Sequence, residues 1–256
     1  MITINWAYSM KVQGLTGIAA ATLFTGIVST AGIANAASLS RSASYQQTDF
    51  DRDYVPDPYL SQGYGLTDIE APISIEKFDS ALGTLKSVTL SFTGSLKGQG
   101  AFENRSATAR AVSVNLSGLL SLSGQNSANL FELNPQKNVT YSVARYDGRL
   151  DYAGASGRTF EGLTAETSGT QVFTDASILQ WFTGSGMLDF LFTATAQSAV
   201  TGPGNINSFI DTFAKADLNI TYDYDPKPVP EPSTMLGLAG VLGGIALQRK
   251  KAVKKA

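Results

Sequence analysis

The sequence predicts an all-β protein, an antiparallel β-sandwich of jelly-roll-like form, set between an apolar N-terminal segment and a single short C-terminal hydrophobic helix. Three observations carry this. Apolar residues alternate with Ser and Thr over several short runs, as in Val88, Leu90, Phe92 and Leu96, the pattern of a strand with one buried and one wet face. Turn signals separate the runs, among them Gly98-Gln99-Gly100, Asn134-Pro135, Asp147-Gly148, Gly184-Ser185-Gly186 and Gly202-Pro203-Gly204. Charged residues make up only 16% of the 256-residue chain, too few for the Lys- and Glu-rich surface of a soluble helical protein.

Taken in order, residues 1–36 read as a secretory signal peptide. Gly14 to Ile33 is an almost uncharged run behind Lys11, and Ala34-Asn35-Ala36 places small residues at both positions that signal peptidase reads, so cleavage is expected between Ala36 and Ala37. Met10-Lys11 resembles an ordinary signal-peptide beginning and is an alternative start. The competing reading of the run is an N-terminal membrane anchor. Residues 37–70 are polar and rich in Tyr and Asp, which suits a lead-in or an edge strand.

The sandwich is expected over 71–225. Its further strands are read at Val112-Val114-Leu116, Val139-Tyr141-Val143, Leu188-Phe190-Phe192-Ala194 and Leu218-Ile220-Tyr222-Tyr224. Asp175 to Phe182 and Ser208 to Lys215 are the two stretches that suit a helical turn or two. No fixed-period repeat occurs.

Residues 226–234 form a proline-rich linker, since prolines forbid regular pairing. Met235 to Leu247 is uniformly apolar or glycine, and Arg249, Lys250 and Lys251 head a basic tail over 248–256. An apolar run followed by a basic cluster is a stop-transfer pattern that keeps the basic end in the cytoplasm and the preceding domain outside. Fifteen residues from Ser233 to Leu247 make about 22 Å of helix, against a hydrocarbon core of about 30 Å, so a span requires flanking residues and local thinning.

Val229-Pro230-Glu231-Pro232-Ser233, the glycine-rich apolar segment and Arg249-Lys250-Lys251 stand in the order of a PEP-CTERM sorting signal, which this tail resembles. The resemblance implies recognition by an exosortase near the Pro-Glu-Pro motif. It also implies a membrane-held precursor, a final place at the cell surface or outside the cell, and an association with extracellular polysaccharide or biofilm matrix. Signal peptidase, the secretion machinery and the membrane are the other partners this route requires. In the middle of the chain, Lys77 to Leu85, the strand after it, Glu103-Asn104, Phe182 to Gly186 and the closing Ala216 to Tyr224 strand look like the choice-of-anchor E domain. That family implies a β-sandwich on the cell surface and no particular chemistry.

Composition excludes several function classes. The chain has no Cys and no His, which removes disulfides, thiol chemistry, imidazole metal sites and Ser-His-Asp or Cys-His catalysis. Between Ala37 and Val229 there are 13 Lys and Arg against 20 Asp and Glu, a net charge of −7, unsuited to nucleic acid. No catalytic residues are assigned and no cofactor is called for. The one metal candidate is calcium at Asp49, Asp51 and Asp53, whose alternate spacing suits oxygen ligands but fails the EF-hand pattern at Tyr54 and Leu60. The first alternative to a non-enzymatic structural or presentation role is a glycan-binding module using Tyr45, Tyr54, Tyr59, Tyr64 or Trp181 as stacking platforms. The second is a secreted hydrolase built on two carboxylates. Four Asn-x-Ser/Thr sequons, at Asn104, Asn115, Asn138 and Asn219, are read as coincidence in a Ser- and Thr-rich chain.

Overall fold

The computed structural model describes residues 36–45, 47, 59–124 and 128–227. The helix expected over 235–247 lies outside the described residues. The strands are β1 (Ala37–Ser44), β2 (Gly65–Leu66), β3 (Ile69–Glu76), β4 (Gly83–Asn104), β5 (Arg110–Ser123), β6 (Asn129–Leu133), β7 (Gln136–Val143), β8 (Gly157–Phe173), β9 (Met187–Ala196), β10 (Ala199–Thr201) and β11 (Ile206–Pro226), with one helix, α1 (Ala176–Phe182), between β8 and β9.

Two antiparallel sheets face each other. One runs β1-β11-β4-β8, with β2 added to β11. In the other, β5 is flanked on one side by β9 and its continuation β10 and on the other by β6 and β7, while β3 closes the edge beyond β9. The chain crosses between sheets at β2 to β3, β3 to β4, β4 to β5, β7 to β8, β8 to β9 and β10 to β11. This wiring is that of a jelly roll, in which nested Greek keys pair strands distant in sequence.

The alternation explains the layers. Val88, Leu90, Phe92 and Leu96 of β4 and Ala214, Ala216, Leu218, Ile220 and Tyr222 of β11 turn inward and are fully buried against Leu120, Leu122, Phe190 and Phe192 of the facing sheet. On the outer faces Ser and Thr pair laterally, as in Ser40 with Thr221 at 3.0 Å and Ser91 with Thr170 at 3.0 Å, the cross-strand contacts that hold a wet face in register. A smaller cluster of Phe102, Val112, Val114, Val143 and Phe160 continues the core toward one end.

Of the two stretches read as helical, Asp175 to Phe182 yields α1, whose Leu179 and Phe182 are buried. Ser208 to Lys215 is instead strand, pairing residue by residue with Phe102 to Ser95 of β4. A segment beside the central strand must satisfy its main-chain groups laterally, and this requirement overrides local preference. Ala37–Ser44, from the polar segment ahead of the sandwich, is edge strand β1 and pairs with Tyr224 to Asp217 of β11.

Candidate functional site

The registers sort the molecule into two ends. Ala37 lies opposite Tyr224, and Gly83 opposite Pro226, so the first residue of β1 and the last of β11 leave the sandwich side by side. This is the tail-exit end. Gly83 is needed there, because a β-carbon would collide with the main-chain oxygen of Asp225. The connections β3 to β4 and β8 to β9, the latter through α1, are at the same end.

Phe78 organises this end. Fully buried, it packs on Tyr222 and Tyr224 with ring centroids 5.8 and 5.0 Å apart. Its N–H donates to Phe182 O at 2.8 Å, its carbonyl accepts from Gly184 N at 2.9 Å, and Lys77 N donates to Gly186 O at 3.1 Å. Three separated stretches noted in the sequence, Lys77 to Leu85, Phe182 to Gly186 and Ala216 to Tyr224, therefore meet around one ring. Tyr222 donates its hydroxyl to Glu76 O at 2.8 Å, and burial pushes its phenol well above the ordinary range.

At the opposite end the chain passes through residues 105–109, 144–156 and 202–205. Asn104, fully buried, pins two of these loops. Its Nδ2 donates to Thr108 O at 2.9 Å and to Ala144 O at 2.7 Å, and its Oδ1 accepts from Ser106 N at 3.0 Å. Ser106 Oγ in turn accepts from Asn205 N at 3.0 Å, which brings in the third. With its amide spent on this network, Asn104 is a structural hub and no acceptor for a glycan. Glu103, named in the sequence only as part of the Glu103-Asn104 pair, lies opposite Gly157 of β8. It is 0% exposed, with Ser156 equally buried nearby.

The sequence candidates separate widely. Ala36 is exposed and Ala37 opens β1, while Ala34 lies outside the described residues. Val229, Pro230, Glu231, Pro232 and Ser233, the cluster Arg249, Lys250 and Lys251, the acidic run Asp49, Asp51 and Asp53, and Tyr54 also lie outside them. Among the described residues no group of three or more acidic side chains converges on a metal position. Of the aromatic candidates, Tyr45 and Tyr59 are 6% and 8% exposed, with Tyr45 against Phe192 at 5.4 Å and Tyr59 against Phe213 at 5.2 Å. Trp181 is half-buried against Phe182 and Phe190. Tyr64 is half-buried with Lys97 Nζ 4.8 Å from its ring centre, and burial raises its phenol. Each of these described rings packs against a neighbouring side chain.

Residues 228–250 match the PEP-CTERM protein-sorting motif. The molecule is thus a β-sandwich joined to a PEP-CTERM tail, which supports exosortase-dependent sorting through a membrane-anchored precursor to the cell surface. No curated protein matches the sequence. Solved structures with some likeness include the T13 particle of infectious bursal disease virus, at 11% identity over 69% of this chain and TM-score 0.14. Another is that of the Gx strain of the same virus, at 9% identity over 87% of this chain and 70% of that one, also at TM-score 0.14. This chain spans 47% of the first of those chains. The topology above rests on strand registers alone.

Proposed function

We propose that this protein is exported and sorted by an exosortase, and that its sandwich, of the choice-of-anchor E type, has a non-enzymatic structural or presentation role in the exopolysaccharide or biofilm layer. The observation that carries the reading is the position of the tail. The sorting motif begins at residue 228, two residues beyond Pro226, where β11 ends. The prolines at 230 and 232 lack the main-chain N–H that a regular strand or helix interior needs, which suits a segment that a membrane enzyme reads while the sandwich stays folded.

Signal peptidase acting between Ala36 and Ala37 frees the strand that pairs with Tyr224. The mature N-terminus and the tail then sit at one end of the domain, leaving the other end pointing away from the membrane. The test is the intact mass of the protein from the outer fraction of its native host, beside a variant carrying Glu231→Ala and Pro232→Ala. Loss of residues 1–36 and of the segment beyond Pro232 in the natural chain, with the tail kept in the variant, is the expected result. A natural chain that retains Met235 to Ala256 in the outer fraction overturns the processing claim.

A further inference from the structure

The outward-facing end holds one group that the sorting function does not use. Glu103 lies on the outer face of β4, opposite Gly157 of β8 and Asn207 of β11. The loop 144–156 folds over it, with the Tyr152 ring packed edge-on against Phe209 at 5.6 Å. The carboxylate is completely buried, and among the described residues neither Oε1 nor Oε2 has a hydrogen-bond partner or an ion pair. A carboxylate taken out of water with nothing to compensate it is among the costliest arrangements a fold can contain.

Its surroundings show what would compensate it. A β-carbon at Gly157 would collide with Glu103 Oε2, with the main-chain nitrogen of Ala153 and with the carbonyl carbon of Tyr152, so the absence of a side chain at Gly157 leaves the carboxylate room against the Tyr152–Ala153 peptide. Ala153 N donates to Asp151 Oδ1 at 3.1 Å, anchoring a second carboxylate on that peptide. Asp151, Ala153 and Gly154 are exposed, so the position is reached from solvent through the loop. The chain contains neither Cys nor His, and every donor that could join Glu103 is an oxygen. Oxygen ligands drawn from carboxylate, main-chain carbonyl and water suit a hard, geometrically tolerant cation.

We infer that Glu103, Asp151 and main-chain carbonyls of the loop 144–156 bind a calcium ion that fastens this loop to β4. With two carboxylates rather than the four or five of a high-affinity site, binding falls in the range of about 10⁻⁴ to 10⁻³ M found for extracellular modules. Such a site fills outside the cell and stays empty in the cytoplasm, so the outward-facing end becomes rigid only after export.

The full chain in detergent, melted in EDTA and in 10 mM CaCl2, tests this. At about ten to a hundred times the dissociation constant the expected rise in Tm is about 3–11 °C. Glu103→Gln is expected to remove the rise and to melt in EDTA at or above the natural temperature, because a neutral amide replaces the uncompensated charge. The triple variant Asp49→Asn, Asp51→Asn and Asp53→Asn is expected to keep the rise. A natural chain whose melting ignores calcium, or a rise that survives in Glu103→Gln, overturns the site. If Glu103→Gln does not fold, terbium emission excited through tyrosine in the natural chain decides. Emission reduced by Tyr152→Phe and displaced by CaCl2 sustains the inference, and emission indifferent to either refutes it.

Discussion

The two ends of this sandwich are built on opposite principles. At the tail-exit end an apolar hub, Phe78 with Tyr222 and Tyr224, joins three stretches of chain by ring packing and main-chain hydrogen bonds. At the opposite end the core shrinks to the Phe102 cluster, and the loops are held by the polar side chains of Asn104, Ser106 and Ser156. About 70 Å of strand contour in β4 separates them. An apolar hub tolerates the pull of a membrane tail because it needs no single partner to persist. A polar hub depends on each hydrogen bond and on the charge state of its neighbours, which suits an end that responds to its surroundings.

The difference can be broken from either side. Phe92→Ala, in the middle of the main core and 0% exposed, is expected to cost about 3–5 kcal/mol, and urea unfolding should show one cooperative transition at lower midpoint. Asn104→Ala removes three part-buried hydrogen bonds, for a loss of roughly 2–4 kcal/mol. Hydrogen exchange should place that loss in residues 105–109 and 144–156 while Val88 to Phe92 keep their protection.

Tyr222→Phe sharpens the contrast at the other end. At neutral pH it deletes the bond to Glu76 O, a loss of about 1 kcal/mol. Because burial raises the folded phenol above its unfolded value of about 10, the unfolded chain releases this proton first. The natural protein therefore keeps the full contribution below pH 10 and loses it as pH rises above that. Unfolding followed from pH 8 to 11 should be flatter in the variant. The smallest effect is expected for Glu76→Gln, which removes the 2.9 Å pair with Arg41; the Glu76 side chain is 48% exposed, so less than about 1 kcal/mol should be lost.

The central strands were legible because their inner residues face one continuous core, and a period of two survives wherever one face is dry. Ser208 to Lys215 was not, since Phe209 is 50% exposed and Phe213 is buried on the outer face beneath Tyr59, so its apolar residues follow no single face. Glu103 obeys the alternation and still ends buried, because the loop that covers it lies some forty residues on. Local pattern holds no record of that contact. The hub at Phe78 is intermediate. Its pieces stood out along the chain, but their meeting depends on the registers that set β3, α1 and β11 side by side.

That the sandwich hangs from the end where Pro226 leaves β11 is tested most directly by single cysteines in a chain that has none of its own. Thr84→Cys, opposite Asp225, and Arg149→Cys, in the loop 144–156, are exposed positions at the two ends. Each labelled full chain is reconstituted with its tail in vesicles carrying a lipid-bound quencher. Strong quenching at 84 and almost none at 149 is the predicted result. Equal quenching at both, or stronger quenching at 149, would contradict it.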